Sequence, residues 1–227
     1  RDVHIKASQV QNMGVIDTVA SLKVEAEDLI LQNGKLLAGQ SLLLKANNLK
    51  MRDQTNTVGA ELILDVSGVL TDGGAGAGVV IETQRGIRLE RKPARGDLLG
   101  TEISASVADF ESQRIHWPAE DRGASVEGFT DNAAVGRLVL AKANQSQFVF
   151  GGEAGQANAI YIDFLELKGV TDQQIVEAGL PQLDIEEGYK VYFAASNVPA
   201  ELIDGMFGGR LRWVNEFPGE YSSMPLY

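Results

Sequence analysis

The sequence predicts an all-β fold, a right-handed parallel β-helix (a β-solenoid) in which short strands stack coil upon coil. Three observations lead there. Apolar residues recur about every twenty positions, and each repeat carries a short alternating run of strand type. Glycine is abundant and proline scarce, 25 against 6 among 227 residues, which suits many tight corners and few breaks.

The repeat is clearest in the first third. Val3-His4-Ile5-Lys6-Ala7, Leu22-Lys23-Val24-Glu25-Ala26, Leu42-Leu43-Leu44-Lys45-Ala46 and Leu62-Ile63-Leu64-Asp65-Val66 end at positions 7, 26, 46 and 66, in steps of 19, 20 and 20. Alternation puts the apolar side chains on one face and leaves His4, Lys6, Lys23, Glu25, Lys45 and Asp65 facing water. A second apolar element follows each run: Val10, Leu29 with Leu31, Leu49 with Met51, and Val69. Then comes a corner: Asn12-Met13-Gly14, Gln32-Asn33-Gly34, Arg52-Asp53-Gln54 and Asp72-Gly73-Gly74. Asn, Asp and Gly tolerate the left-handed backbone that a sharp bend demands. One coil cannot bury its apolar face alone, so stacking must supply the core. A β-sandwich with regular turns is the competing architecture, but sandwiches do not usually repeat side-chain identity in register at so long a period.

Beyond the first third the coils are less regular. Val79–Thr83 and Ile87–Glu90 read as strands around Gly86, residues 91–100 as a loop, and Glu102–Val107 as a strand. Residues 111–134, with His116-Trp117-Pro118 inside, read as a lateral insertion containing some strand. The pattern returns at Leu138–Ala143, Phe148–Phe150 and Ala159–Leu167. Roughly ten to eleven coils would give a rod on the order of 50 Å long, insertions lowering the count.

The expected division is a β-helix over residues 1–169 and a small mixed C-terminal cap over 170–227. Thr171-Asp172-Gln173-Gln174 is a capping box opening a helix through Ala178, stopped by Gly179 and Pro181. Lys190–Ala194 reads as a strand, Asn197–Ile203 as a second short helix, and Arg210–Val214 as a last strand. A solenoid must cover its terminal rung, and the aromatic-rich tail suits that task.

The run Leu22-Lys-Val-Glu-Ala26 … Leu29 … Asn33-Gly34 … Ala38-Gly39, followed by Ser41-Leu-Leu-Leu-Lys-Ala46, resembles repeats of filamentous haemagglutinin-type bacterial exoproteins. The resemblance covers residues 1–70 well, 79–167 faintly, and the terminal part not at all. It implies a right-handed β-helix, export across the outer membrane, and a role in adhesion or surface display. The family's secretion-domain motif is not present in this sequence.

Composition narrows the function classes. The formal net charge of −11 argues against nucleic acid, which requires clustered Lys and Arg, and against an anionic membrane surface. No cysteine is present, so disulfides, thiolate metal sites and a Cys nucleophile are ruled out. No apolar run reaches the length of a membrane span, and no signal-peptide pattern is present. The chain opens at Arg1 with no Met, so a processed piece or an excised segment of a longer protein is expected.

Catalytic constellations are sparse. The nearest acidic groupings are Asp163 with Glu166, and Asp184 with Glu186 and Glu187, which read more simply as solvated faces or corners. The glycine run Thr71–Gly78 has an acidic start like a Ca²⁺-binding nonapeptide, yet occurs once and lacks the second acid. Asn144-Gln145-Ser146 fits a glycosylation sequon, a tripeptide common by chance. His116 and Trp117 are the candidate ligand or partner contacts, since a Trp on an exposed loop can stack on a sugar ring, whereas burial against the flank is the plainer alternative. No catalytic residue, cofactor or metal is expected. The expected function is a non-catalytic extracellular scaffold or adhesin segment, secreted or at the bacterial cell surface. Its partners would be itself, end to end or laterally, or cell-surface glycans or proteins. The alternatives are a carbohydrate-binding or polysaccharide-degrading β-helix, and a trimeric spike-like protein.

Overall fold

The computed structural model describes residues 1–142, 145–152 and 158–221, and these are mostly β-strand with few helices. The chain opens with β1 (Val3–Lys6), β2 (Gln9–Asn12) and β3 (Val15–Thr18), then β4 (Leu22–Gln32), β5 (Lys35–Ala38), β6 (Leu42–Arg52) and β7 (Thr55–Val58). There follow β8 (Glu61–Val66), β9 (Leu70–Thr71), β10 (Val79–Thr83), β11 (Gly86–Leu89), β12 (Leu98–Val107) and β13 (Ser112–His116). After a long connection come β14 (Val135–Lys142), β15 (Gln147–Gly151), β16 (Ala159–Lys168), β17 (Leu183–Ile185), β18 (Lys190–Ser196) and β19 (Leu211–Trp213).

These strands make two sheets, and the chain passes back and forth between them. The first sheet runs β1-β4-β6-β8-β11-β13-β15-β17, with β2 on β4 and β9 on β6; the second runs β3-β5-β7-β10-β12-β14-β16-β18-β19. Every pairing between these strands is parallel. One isolated antiparallel bridge, Ala119 to Ala159, ties the long connection to β16.

The twenty-residue spacing is a stacking distance. Val3, Leu22, Leu42, Leu62, Ile87, Ile115, Phe150 and Ile185 are successive register partners down the first sheet. From Leu22 onward every member is buried. The second sheet matches it with Ile16, Leu36, Asn56, Ile81, Ile103, Leu138 and Leu165. Asn56 is the polar exception; Gln54 donates to its carbonyl oxygen at 2.8 Å, which makes its burial tolerable. Each buried Leu or Ile is worth about 1.5–3 kcal/mol, so the columns supply the core that no single repeat has.

Corners behave as their residues suggest. Asn33 and Asp53 adopt left-handed backbone, with φ of 52° and 46°. Gly39 and Gly59 occupy equivalent corners for a different reason. A Cβ on Gly39 would lie 2.5 Å from the Val19 carbonyl oxygen, and one on Gly59 2.3 Å from that of Gly39.

Several expectations need correction. Residues 112–116 form β13, a regular member of the first sheet, so the insertion begins at Trp117; between there and β14 lies one 3₁₀ turn, Val126–Phe129. The strand placed at Glu102 begins at Leu98. The first sheet stacks eight strands along its main path, fewer than ten to eleven coils, because the insertions consume chain. The sheets do not stop at residue 169, since β17, β18 and β19 continue both in parallel register. The capping box is present: α1 (Asp172–Ala178) starts with the Thr171 hydroxyl accepting from the Gln174 amide and ends at Gly179, φ 67°. The second helix is shorter than expected, α2 (Ala200–Ile203) after Pro199, and a kinked turn follows as α3 (Met206–Gly209). Ala143 and the sequon's Asn144 lie outside the described residues.

Candidate functional site

β13 delivers His116 to the outer face of the first sheet, stacked on Arg88 in β11 and followed by Gly151 in β15. His116 and Arg88, together with Glu61, Ile87 and Arg114, surround a hollow of about 200 Å³. His116 is only 6% exposed. Arg114 forms a two-pronged contact with Glu186, at 2.6 and 2.8 Å. The bare Cα of Gly151 makes room, because a Cβ there would meet both the Glu186 carboxylate and the Arg114 guanidinium. Arg88 in turn lies 3.0 Å from Glu90. Both guanidinium groups are already held by carboxylates, so the hollow is an ion-paired surface more than a vacant anion site.

Trp117 has the opposite fate from the one that would make it a sugar platform. It is 0% exposed, and its indole N–H donates to the Ala133 carbonyl at 2.7 Å. The connection then folds over the flank of the second sheet. Tyr161 and Tyr192, stacked with ring centroids 4.6 Å apart, form the floor. The Tyr161 hydroxyl donates to the Gly123 carbonyl and accepts from the Arg122 amide, while the Tyr192 hydroxyl donates to Asp121 at 2.6 Å. Gly128 lies so close to the Tyr161 ring that a Cβ would overlap it. This cover explains why β16 reads as a nearly unbroken apolar run: both of its faces are buried.

Two carboxylates hold the corners of this region. Asp97 accepts from the amides of Asp131, Asn132 and Ala134, closing the insertion. Asp72 is fully buried and accepts from the Gly74 and Gly100 amides and from the Thr101 hydroxyl, at 2.7, 2.8 and 2.6 Å. Burial pushes both carboxyls up from their ordinary range, and the donated bonds pull back against it. Asp72 is thus committed to the glycine corner that begins at Thr71.

The C-terminal segment crosses the same flank. Phe217 stacks on Phe129 at 3.8 Å, the Tyr221 amide donates to Asp163 at 2.8 Å, and the Gly76 amide donates to Glu220 at 3.0 Å.

The acidic groupings expected from sequence do not converge. Asp163 is buried beneath Tyr221, whereas Glu166 pairs with Arg137, which also reaches Glu102 at 3.0 Å. Glu186 is spent on Arg114, Asp184 lies on the half-buried face of β17, and Glu187 is exposed. Among the described residues no three His, Asp or Glu side chains cluster as a metal site would require. No helix among them is long and apolar enough to cross a membrane.

The residues missed from sequence are Arg114 and Asp97, whose partners lie 72 and 35 positions away. The coil period breaks down exactly where those contacts form, so no spacing rule could have linked them. Comparison with protein-family models, with curated proteins and with solved structures finds no match for the chain.

Proposed function

We propose that the chain is a segment of a right-handed β-solenoid that serves as a non-catalytic extracellular scaffold or adhesin stalk. The observation that carries the reading is the column from Val3 to Ile185, eight apolar residues in parallel register while the chain alternates between two sheets. Such a stack spends its sequence on length and rigidity. The right hand follows from the strong preference of parallel crossover connections. The polar clusters support the same reading, since Arg114, Arg137 and Asp72 are engaged by their neighbours and, among the described residues, no three His, Asp or Glu side chains gather as a metal site would require.

Within this reading a stalk is favoured over a filament built end to end. At the C-terminal end α2 and α3 pack on β19, and Ile203, Leu211 and Val214 are buried, so that end is covered. Negative-stain microscopy with a polysaccharide turnover panel tests the proposal. A rod with a stacked length of roughly 35–40 Å at strand spacing, and no turnover, is expected. A globular particle, or turnover of any polysaccharide, overturns it.

A further inference from the structure

In a stack of parallel strands each level is bonded to the levels on either side of it, so an end can open while the middle stays closed. In the second sheet the segment after β19 departs from that pattern. The Val214 amide donates to the Phe193 carbonyl in β18 at 2.8 Å, and the Phe217 ring then settles on Phe129. From there the contacts climb the sheet, strand by strand. The Tyr221 amide donates to Asp163 in β16 at 2.8 Å. The Tyr221 ring lies over Gly136 in β14, where a Cβ would come within 2.5 Å of it, and its hydroxyl donates to the Gly100 carbonyl in β12 at 3.3 Å. Both carboxylate oxygens of Glu220 accept from the amide of Gly76, in the corner that leads into β10, at 3.2 and 3.0 Å.

β18, β16, β14, β12 and β10 are consecutive neighbours in the sheet. Four steps of about 4.8 Å make roughly 19 Å, a distance that residues 214–221 can span when extended. The partners are far off in sequence: Gly76, Gly100 and Asp163 lie 144, 121 and 58 positions from the residues they meet. Two bare Cα atoms let the segment lie flat, Gly136 under the Tyr221 ring and Gly219 against Asp163, whose carboxylate a Cβ would overlap.

We propose that residues 214–221 form a longitudinal strap, a conformational device that makes the levels from β10 to β19 open as one cooperative unit. Without it β19 and β18 could fray first and β16 after them. With it, opening the end has two routes, and both cost more. Either the strap lifts and gives up its contacts with strands that stay folded, or it stays down and the frayed chain is a closed loop, which gains less freedom than a loose end. The inference needs only the parallel register, so its fate is separate from that of the scaffold reading.

Hydrogen exchange of the full chain, read by mass spectrometry on fragments covering β10, β12, β16 and β18, tests it. In the parent, β18 and β16 should exchange at rates similar to β12. In the double variant Phe217→Ala with Tyr221→Ala, β18 and β16 should exchange about tenfold faster than in the parent, while β10 and β12 keep their rates. Gly219→Ala, which lifts the strap without emptying either aromatic seat, should give the same gradient and serves if the double variant does not fold. Val176→Ser, at a 73% exposed position on α1 outside the strap, should leave the parent pattern unchanged. Four results overturn the proposal: β18 already exchanging tenfold faster than β12 in the parent, acceleration of all four strands alike, acceleration confined to β16 beside the emptied Phe217 seat, or no change.

Discussion

The phenol of Tyr189 donates to the carbonyl of Trp117 across 2.6 Å, joining a strand-side aromatic of the last coils to the root of the insertion. Both side chains are essentially inaccessible to water. Trp117 is therefore an anchor that fixes where the insertion leaves the first sheet. Trp117→Ala should cost about 3–5 kcal/mol through the cavity it leaves. Tyr189→Phe keeps the ring and should cost about 1–3 kcal/mol for a buried carbonyl deprived of its donor. Urea denaturation followed by circular dichroism measures both. A Trp117→Ala chain as stable as the parent would return that residue to the list of surface contacts.

The corner glycines make a sharper steric prediction. Gly39→Ala and Gly59→Ala force a methyl against a backbone carbonyl at 2.5 and 2.3 Å, and neither partner is a flexible side-chain end. Each should lose about 1–3 kcal/mol as the corner opens. At Gly14, in the first coil, nothing lies within 4 Å of the same methyl. Gly14→Ala should thus be close to neutral, and a thermal melt of the three variants side by side reads the contrast. Equal loss at all three sites would mean that the effect is conformational and owes nothing to stacking.

The same contrast explains what could be read from the sequence. The columns through Leu22, Leu42 and Leu62 were legible because a repeat of constant length brings residues of constant spacing into parallel register, and nothing else competes. Asn33 and Asp53 were legible as corners because few residues accept their backbone. The continuation of both sheets through Leu183–Ile185 and Leu211–Trp213 was not, because α1 and then α2 and α3 interrupt the period before those strands. At the candidate site the sequence singles out His116, which the structure buries beside the hollow on the first sheet. Its neighbours Arg114 and Arg88 were invisible because adjacency there depends on which insertion each coil carries. For Trp117 the sequence leaves an exposed platform and burial against the flank both open, since it offers no measure of whether a loop folds back over its own aromatic, and the structure takes the plainer course of burial.

Asp72 and Asp184 separate a structural carboxylate from an incidental one. Removing Asp72 leaves the Gly74 and Gly100 amides and the Thr101 hydroxyl without their common acceptor in a dry corner. Asp72→Ala should therefore cost about 2–4 kcal/mol, summing unmet donors that water cannot easily reach. Asp184→Ala, on a half-buried face, should stay within about 0.5 kcal/mol of the parent. Denaturant midpoints for the pair decide it, and a large loss at Asp184 would reopen the case for a working acidic cluster on β17.

Glu25 gives the fold a pH dependence whose sign can be worked out. The hydrogen bond from Lys23, aided by His4 and by the nearby Lys6 charge, holds its carboxyl at about 2, against an ordinary value of 4.5. A carboxyl depressed in the folded state stabilises the fold above its unfolded pKa, and that contribution disappears as pH falls from about 4.5 towards 2. Asp72 and Asp97, raised by burial, run the other way, so the whole-chain curve alone would not isolate Glu25. The comparison that does is the parent against Glu25→Gln. At neutral pH and low salt the parent should have the higher melting temperature, and the gap should narrow below pH 4.5 and close near pH 2. Added salt should shrink the gap at neutral pH, because these groups are open to solvent and screened. A gap that stays constant across the acid range would mean that the three bases gather around Glu25 without stabilising it.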